Sequence, residues 1–173
     1  LGCGGTIAHL AREGEVHLLI LGEGVSARCD PRAQAPSADL QALQQAARVA
    51  AQQLGAKSPQ FAGLPDNRFD EVSLLDIVKR IEPCISAVQP QVVYTHHPGD
   101  LNLDHALTFR AVLTATRPVP GCPVRELYAF EIPSSTEWAF QRLAPPFQAN
   151  TFVDISEVID TKLQAMAMYA REI

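Results

Sequence analysis

Gln91-Val92-Val93-Tyr94-Thr95-His96-His97-Pro98-Gly99-Asp100-Leu101-Asn102-Leu103-Asp104-His105 is the stretch that decides the fold. It opens on strand formers, Val92, Val93 and Tyr94, with Pro90 marking the start of the run. Pro98 and Gly99 stop the strand and force a turn. From His105 the pattern is helical, with Leu107, Val112, Leu113 and Ala115 on roughly one side. Three of the five histidines, two aspartates and an asparagine therefore fall where a strand's carboxyl end feeds a helix. Open α/β sheets bind their ligands at that edge.

Outward from this stretch, strands and helices alternate. Val16 to Leu21 is a nearly continuous apolar run, as in a strand covered on both faces, and His17 inside it reads as an ordinary core or edge histidine. Glu23, Ser26 and Arg28 follow in a loop that is either solvated or ligand-facing. Thr6 to Glu13 reads as a short helix closed by Gly14. The glycines before it match neither a dinucleotide fingerprint nor a phosphate-binding loop. Ser37 to Leu54 is an amphipathic helix with Ser37 as N-cap and Gly55 just beyond its end. Val72 to Val88 is a further helix, in which Pro83 predicts a kink or break. Glu126 to Ile132 and Phe152 to Ile155 read as strands, and Ser156 as the cap of a last helix. Trp138, in the loop after the first of these strands, reads as a packing residue or a platform for a sugar ring. The alternation predicts an α/β fold, a three-layer sandwich with a mainly parallel sheet, in a single domain over residues 1–173.

Composition narrows the function. Hydrophobic residues make up 47% and charged residues 19% of 173, an ordinary globular balance. A net charge of -5 argues against a nucleic-acid partner, which needs a basic face toward phosphate. No apolar run approaches the roughly 20 residues of a membrane span. Cys3, Cys29, Cys84 and Cys122 form no C-x-x-C pair and read as scattered reduced thiols of a cytoplasmic protein. Homo-oligomerisation is left open.

The polar knot reads H-H-P-G-D-x-N-x-D-H. Histidine with aspartate suits zinc, as a mixed nitrogen and oxygen site that keeps one position open for water. Asp104, beside His105, is placed to orient an imidazole or a water. The same residues also suit a helix N-terminus whose dipole favours acidic side chains. Spacing leaves both readings open. Arg68, in Leu64-Pro-Asp-Asn-Arg-Phe-Asp70, either forks onto a carboxylate or phosphate or pairs with Asp66 or Asp70 to hold its loop.

On these residues the chain resembles the PIG-L/LmbE-like de-N-acetylases, zinc-dependent enzymes that remove N-acetyl groups from glucosamine-containing substrates. Thr95-His-His-Pro-Gly-Asp-Leu-Asn-Leu-Asp-His105 resembles the family's second metal motif. Leu1-Gly-Cys-Gly-Gly-Thr-Ile-Ala8 resembles the segment just after its first motif, A-H-P-D-D-E, and Leu64 to Asp70 a segment of bacterial members. The resemblance implies a Rossmann-like α/β domain with zinc at the carboxyl ends of the strands. It places His105 as the histidine ligand of Zn2+. Many members carry a histidine three positions earlier that steadies the tetrahedral intermediate. Asn102 stands there in this chain, able to donate a hydrogen bond to an oxyanion but not to act as a general acid near neutral pH.

The expectation is therefore a hydrolase that removes an N-acyl group from an amino-sugar, with Asp104, Asn102 and His97 as catalytic groups. Arg68 and Asp100 are expected to bind substrate, and His105 to bind metal. The remaining two ligands and the general-base aspartate belong to A-H-P-D-D-E, which would lie immediately before Leu1. Leu1 is not a start methionine, and Met168 to Ile173 stops inside an apolar helical pattern, so both ends read as cut. The first strand and a C-terminal part are expected to be missing, and residues 1–173 alone to be inactive. The competing expectation is a non-catalytic α/β module that binds a sugar or nucleotide at the same crevice without metal.

Overall fold

The structure is a computed structural model and describes residues 2–28, 37–140 and 145–169. Cys29 and the last four residues of the expected final helix lie outside them. Residues 1–63 with 149–173 form one compact unit and residues 64–148 a second. It is a mixed α/β protein with parallel strands. Among the described residues the strands form two separate two-stranded sheets.

In the first unit, helix α1 (Gly4–Leu10) and strand β1 (Leu19–Gly22) are followed by helix α2 (Ser37–Gln53) and strand β2 (Gln60–Leu64), which pairs with β1 and leads into the second unit. The first strand starts later than its apolar run suggests. Val16 and Leu18 use their carbonyls to bond Lys57 and Gln60, and exposed His17 lies 3.4 Å from Glu15, ahead of the strand. Gly55, at φ +77°, ends α2 in the left-handed region that glycine tolerates, and the Ala56 N–H closes on the Ala51 carbonyl at 2.9 Å.

The segment at Phe152–Ile155 is not a strand. Phe152 is exposed, and Asp154 Oδ1 accepts from the backbone N–H of Ser156, so the chain turns into a 3-10 stretch and then helix α6 (Ile159–Ala167). Asp154 supplies the hydrogen bond expected of Ser156. The core joins Ala8, Ala50, Leu54, Val158 and Ala165, with Ile7, Ile155 and Tyr169 packed on it.

Packing explains Gly5. A Cβ there would sit 2.6 Å from Ile155 Cδ1. Gly5→Ala is expected to destabilise the protein by about 1–3 kcal/mol through overpacking. Urea unfolding would measure it, and an unchanged midpoint would contradict the close approach.

The second unit contains helix α3 (Leu74–Val88), strand β3 (Val92–His96), helix α4 (Leu103–Ala115), strand β4 (Glu126–Phe130) and the short helix α5 (Pro133–Thr136). Ser73 caps α3 by accepting from the Asp76 N–H. The helix runs through Pro83 without a break, held by its buried face of Ile77, Val78 and Ile81. Strands β3 and β4 pair in parallel, Val92 with Glu126 through His96 with Phe130. Tyr94 and Tyr128 stack across that register with ring centroids 5.2 Å apart. A parallel pair needs a crossover, and α4 provides it. Both carboxyl ends therefore emerge on one edge, where the polar knot lies.

Candidate functional site

Asn102 starts α4: its Oδ1 accepts from the Asp104 N–H at 2.9 Å. That cap turns the chain so that Asp104 and His105 sit in the first helical turn. Asp104 is buried, and both its oxygens go to backbone. Oδ2 accepts from the Asn67 N–H at 2.7 Å and Oδ1 from the Phe69 N–H at 3.0 Å. It fastens the Pro65–Phe69 loop to the helix. Burial raises its pKa above the ordinary carboxylate value, with the two backbone donors pulling the other way.

Asp100 lies deeper. Its side chain has 0% exposure. Oδ1 accepts from the Asn102 N–H at 2.8 Å, while Oδ2 accepts from Ser135 Oγ at 2.9 Å and Thr136 Oγ1 at 3.0 Å. Nδ1 of His105 stands 3.1 Å from the same oxygen, within ion-pair reach but outside hydrogen-bond alignment. Burial opposes ionisation of Asp100, but the donors around it win and its pKa falls below the ordinary value.

The His105 ring stacks on His96 at 4.0 Å between centroids, and Phe130 covers His96 from another side at 4.9 Å. Nδ1 of His96 is buried with no hydrogen-bond partner. Burial, helped by the neighbouring His105, pushes the His96 pKa down to about 3. His96 is therefore a neutral wall against which His105 is packed. His97 turns the other way. Its Nδ1 accepts from the Gly99 N–H at 3.0 Å, so the neutral ring carries its proton on Nε2, and Phe147 packs edge-on at 5.2 Å. Burial lowers its pKa also. Gly99 is pressed between that ring and the Pro145 carbonyl, 2.9 Å from where a Cβ would lie.

Arg68 occupies the position before the 3-10 turn at Phe69–Glu71 without a side-chain capping bond and stands 3.9 Å from Glu71, the limit of an ion pair. The structure thus gathers Asn102, Asp104, His105 and Asp100 at one helix start. It puts His97 in the turn before them and Arg68 on the loop that Asp104 holds. Sequence reasoning missed Ser135 and Thr136. Hydroxyl residues at the carboxyl end of β4 are the signal that could have found them, since that end shares an edge with β3.

Acid should test the buried His96. An unfolded imidazole binds its proton near 6.5 and the folded one only near 3. Between those values the unfolded state holds more protons, so stability falls as pH falls through that window. The window is worth at most about 5 kcal/mol at roughly 1.4 kcal/mol per pH unit. In chelator-treated protein, His96→Phe is expected to flatten the fall in urea midpoint between about pH 7 and about pH 4.5. Parallel profiles for the two proteins would contradict the buried neutral ring.

These features define a mixed α/β protein with a histidine–aspartate site at the carboxyl edge of a parallel strand pair. The chain belongs to the GlcNAc-PI de-N-acetylase family, PIG-L, whose model matches residues 1–116. Family membership supports an enzyme of the deacetylase or hydrolase type. Among solved structures, the chain is similar to GalB, the 4-carboxy-2-hydroxymuconate hydratase of Pseudomonas putida KT2440, at 29% identity and a TM-score of 0.74 over 96% of this chain and 72% of that one. It is also similar to the N,N'-diacetylchitobiose deacetylase of Pyrococcus horikoshii, at 18% identity and 0.69 over 99% and 65%. The deacetylase Dbv21, which acts on the A40926 pseudoaglycone, matches at 22% and 0.64 over 98% and 76%. The last two bear on the fold alone. None of the curated proteins compared matches the chain. Among the described residues, no helix is long and apolar enough to cross a membrane.

Proposed function

We propose that the protein is a zinc-dependent amide hydrolase that removes an N-acyl group, acetyl by preference, from an amino-sugar substrate. The observation that carries this is His105, held at a helix start with buried Asp100 3.1 Å behind its Nδ1. An imidazole backed by a carboxylate is how zinc-binding histidines are commonly oriented. The donor chemistry fits one leg of a zinc site: Nδ1 of His105 faces Asp100, which leaves Nε2 as the nitrogen that would hold the metal. Among the described residues no group of three histidine, cysteine, aspartate or glutamate side chains could complete the set. Zinc, when bound, would supply Lewis acidity toward an acyl carbonyl and an acidified water.

The chain's own residues have the remaining roles. Asp100 orients His105. Asn102 directs its Oδ1 into the helix and keeps an amide donor for a developing oxyanion. Neutral His97 presents its Nε2–H as a further donor. Asp104 acts by holding the Asn67–Phe69 backbone, and through it Arg68, toward the substrate side. Reduced thiols suit a cytoplasmic setting, and Cys3, Cys84 and Cys122 are free.

A second reading is hydration of a carbon–carbon double bond in a carboxylated hydroxy-diene. The 29% identity to a 4-carboxy-2-hydroxymuconate hydratase favours it. The test is to express the protein with whatever its gene encodes ahead of Leu1. N-acetylglucosaminyl substrates and 4-carboxy-2-hydroxymuconate are then assayed side by side, with and without chelator. A chelator-sensitive amine product supports the hydrolase. Loss of the diene absorbance without amine release supports the hydratase and rejects the first reading.

A further inference from the structure

We propose that Ser135 and Thr136 are positioning residues of this site, hydroxyls that hold the Asp100 carboxylate under His105 and so set the direction in which His105 presents Nε2. They lie beyond residues 1–116, the part of the chain matched by the family. The inference rests on the zinc reading above.

The geometry runs in a chain. The Ile132 N–H donates to Thr136 Oγ1 at 2.8 Å. That bond occupies a lone pair of the hydroxyl and leaves its proton to be donated to Asp100 Oδ2, 3.0 Å away. Ser135 Oγ donates to the same oxygen at 2.9 Å. The Ser135 carbonyl accepts from the Leu101 N–H at 3.1 Å, which ties the backbone after β4 to the turn that carries Asp100. Oδ1 is fixed separately by the Asn102 N–H at 2.8 Å. The carboxylate, fully buried and bonded through both oxygens, cannot rotate without breaking several bonds. Its fixed oxygen lies 3.1 Å from His105 Nδ1. One face of the ring is covered by His96, stacked at 4.0 Å between centroids. One imidazole thus has a fixed carboxylate within ion-pair reach of Nδ1 and a stacked ring on one face.

The two hydroxyls differ in what else they do. Thr136 Oγ1 also satisfies a backbone donor, so its loss would disturb the start of α5. Ser135 Oγ bonds Asp100 alone among the side-chain hydrogen bonds described here. Ser135→Ala is therefore the clean variant, and Ser135→Thr keeps the hydroxyl. Groups that orient metal-bound histidines typically change metal affinity by about 10–100-fold when removed.

The experiment uses the full-length protein. Zinc affinity is measured by chelator competition, and the visible spectrum of the cobalt-substituted protein reports ligand geometry. Urea unfolding checks the fold. Ser135→Ala is expected to bind zinc about tenfold more weakly and to alter the cobalt bands, with Ser135→Thr close to wild type. Unchanged affinity and bands in Ser135→Ala would overturn the proposal while leaving the zinc reading intact. Loss of cooperative unfolding in that variant would also overturn it, since the hydroxyl would then be structural. Wild-type protein that takes up neither metal would reject the zinc reading, and this inference with it.

Discussion

Asp104→Ala is expected to cost about 1–3 kcal/mol of folding stability. The substitution removes one carboxylate and with it the partner of two backbone donors, the N–H groups of Asn67 and Phe69. The Phe69 N–H, left without a partner in a buried place, costs roughly 1–3 kcal/mol, whereas the Asn67 N–H belongs to an exposed residue and can turn to water. Phe69 is 2% exposed, so water does not reach it easily. Asp104→Asn should rescue little. Its amide NH2 would face one of the two N–H groups, donor against donor. Chemical denaturation of the three proteins decides the matter. A shift under about 0.5 kcal/mol in the alanine variant, the range of ordinary surface changes, would contradict the clasp. Because α4 and the Pro65–Phe69 loop are joined by this residue, the variant should also lose activity out of proportion to its residual fold.

His105→Ala carries the largest expected effect on function. Zinc sites of the catalytic kind use three protein ligands, and removing one leaves too few to retain the ion. A bound metal stabilises the transition state by several kcal/mol, and about 1.4 kcal/mol is tenfold in rate. The variant is expected to lose on the order of a thousandfold or more in kcat/KM. Its fold should survive, since the ring is 22% exposed and has no aligned hydrogen bond to lose. Near-normal turnover in a folded His105→Ala protein would remove His105 from the chemistry. His105→Gln, which keeps a neutral polar side chain, should not restore activity.

The fold was legible where its cause is local. The β3–turn–α4 stretch could be read from strand formers, Pro98-Gly99 and the helical period. The Gly55 cap could be read from one residue. The strand expected at Phe152–Ile155 is absent, and of the kink or break expected at Pro83 the break does not occur; both show the limit of reading a short window without its partners. Phe152–Ile155 has strand-forming residues, but Asp154 bonds its own neighbour's backbone and draws the segment into a turn. Pro83 is tolerated because Ile77, Val78 and Ile81, just before it, are buried on one face.

In the site, the residue types were legible and their partners were not. Asp104 reads as an acid next to a histidine, yet its bonds go to residues more than thirty positions earlier. Asp100 reads as a substrate contact, yet its side chain has no exposed surface and bonds Ser135 and Thr136. The stacking of His96 on His105 depends on the helix start folding back over the strand end. Contacts of this kind have no periodicity in sequence and become visible only in three dimensions.

Elemental analysis of the purified full-length protein, beside its His105→Ala variant, tests the central claim most directly. The account predicts zinc near one equivalent per chain in the wild type after dialysis, and essentially none in the variant. Zinc retained equally by both proteins, or by neither, would contradict the role assigned to His105.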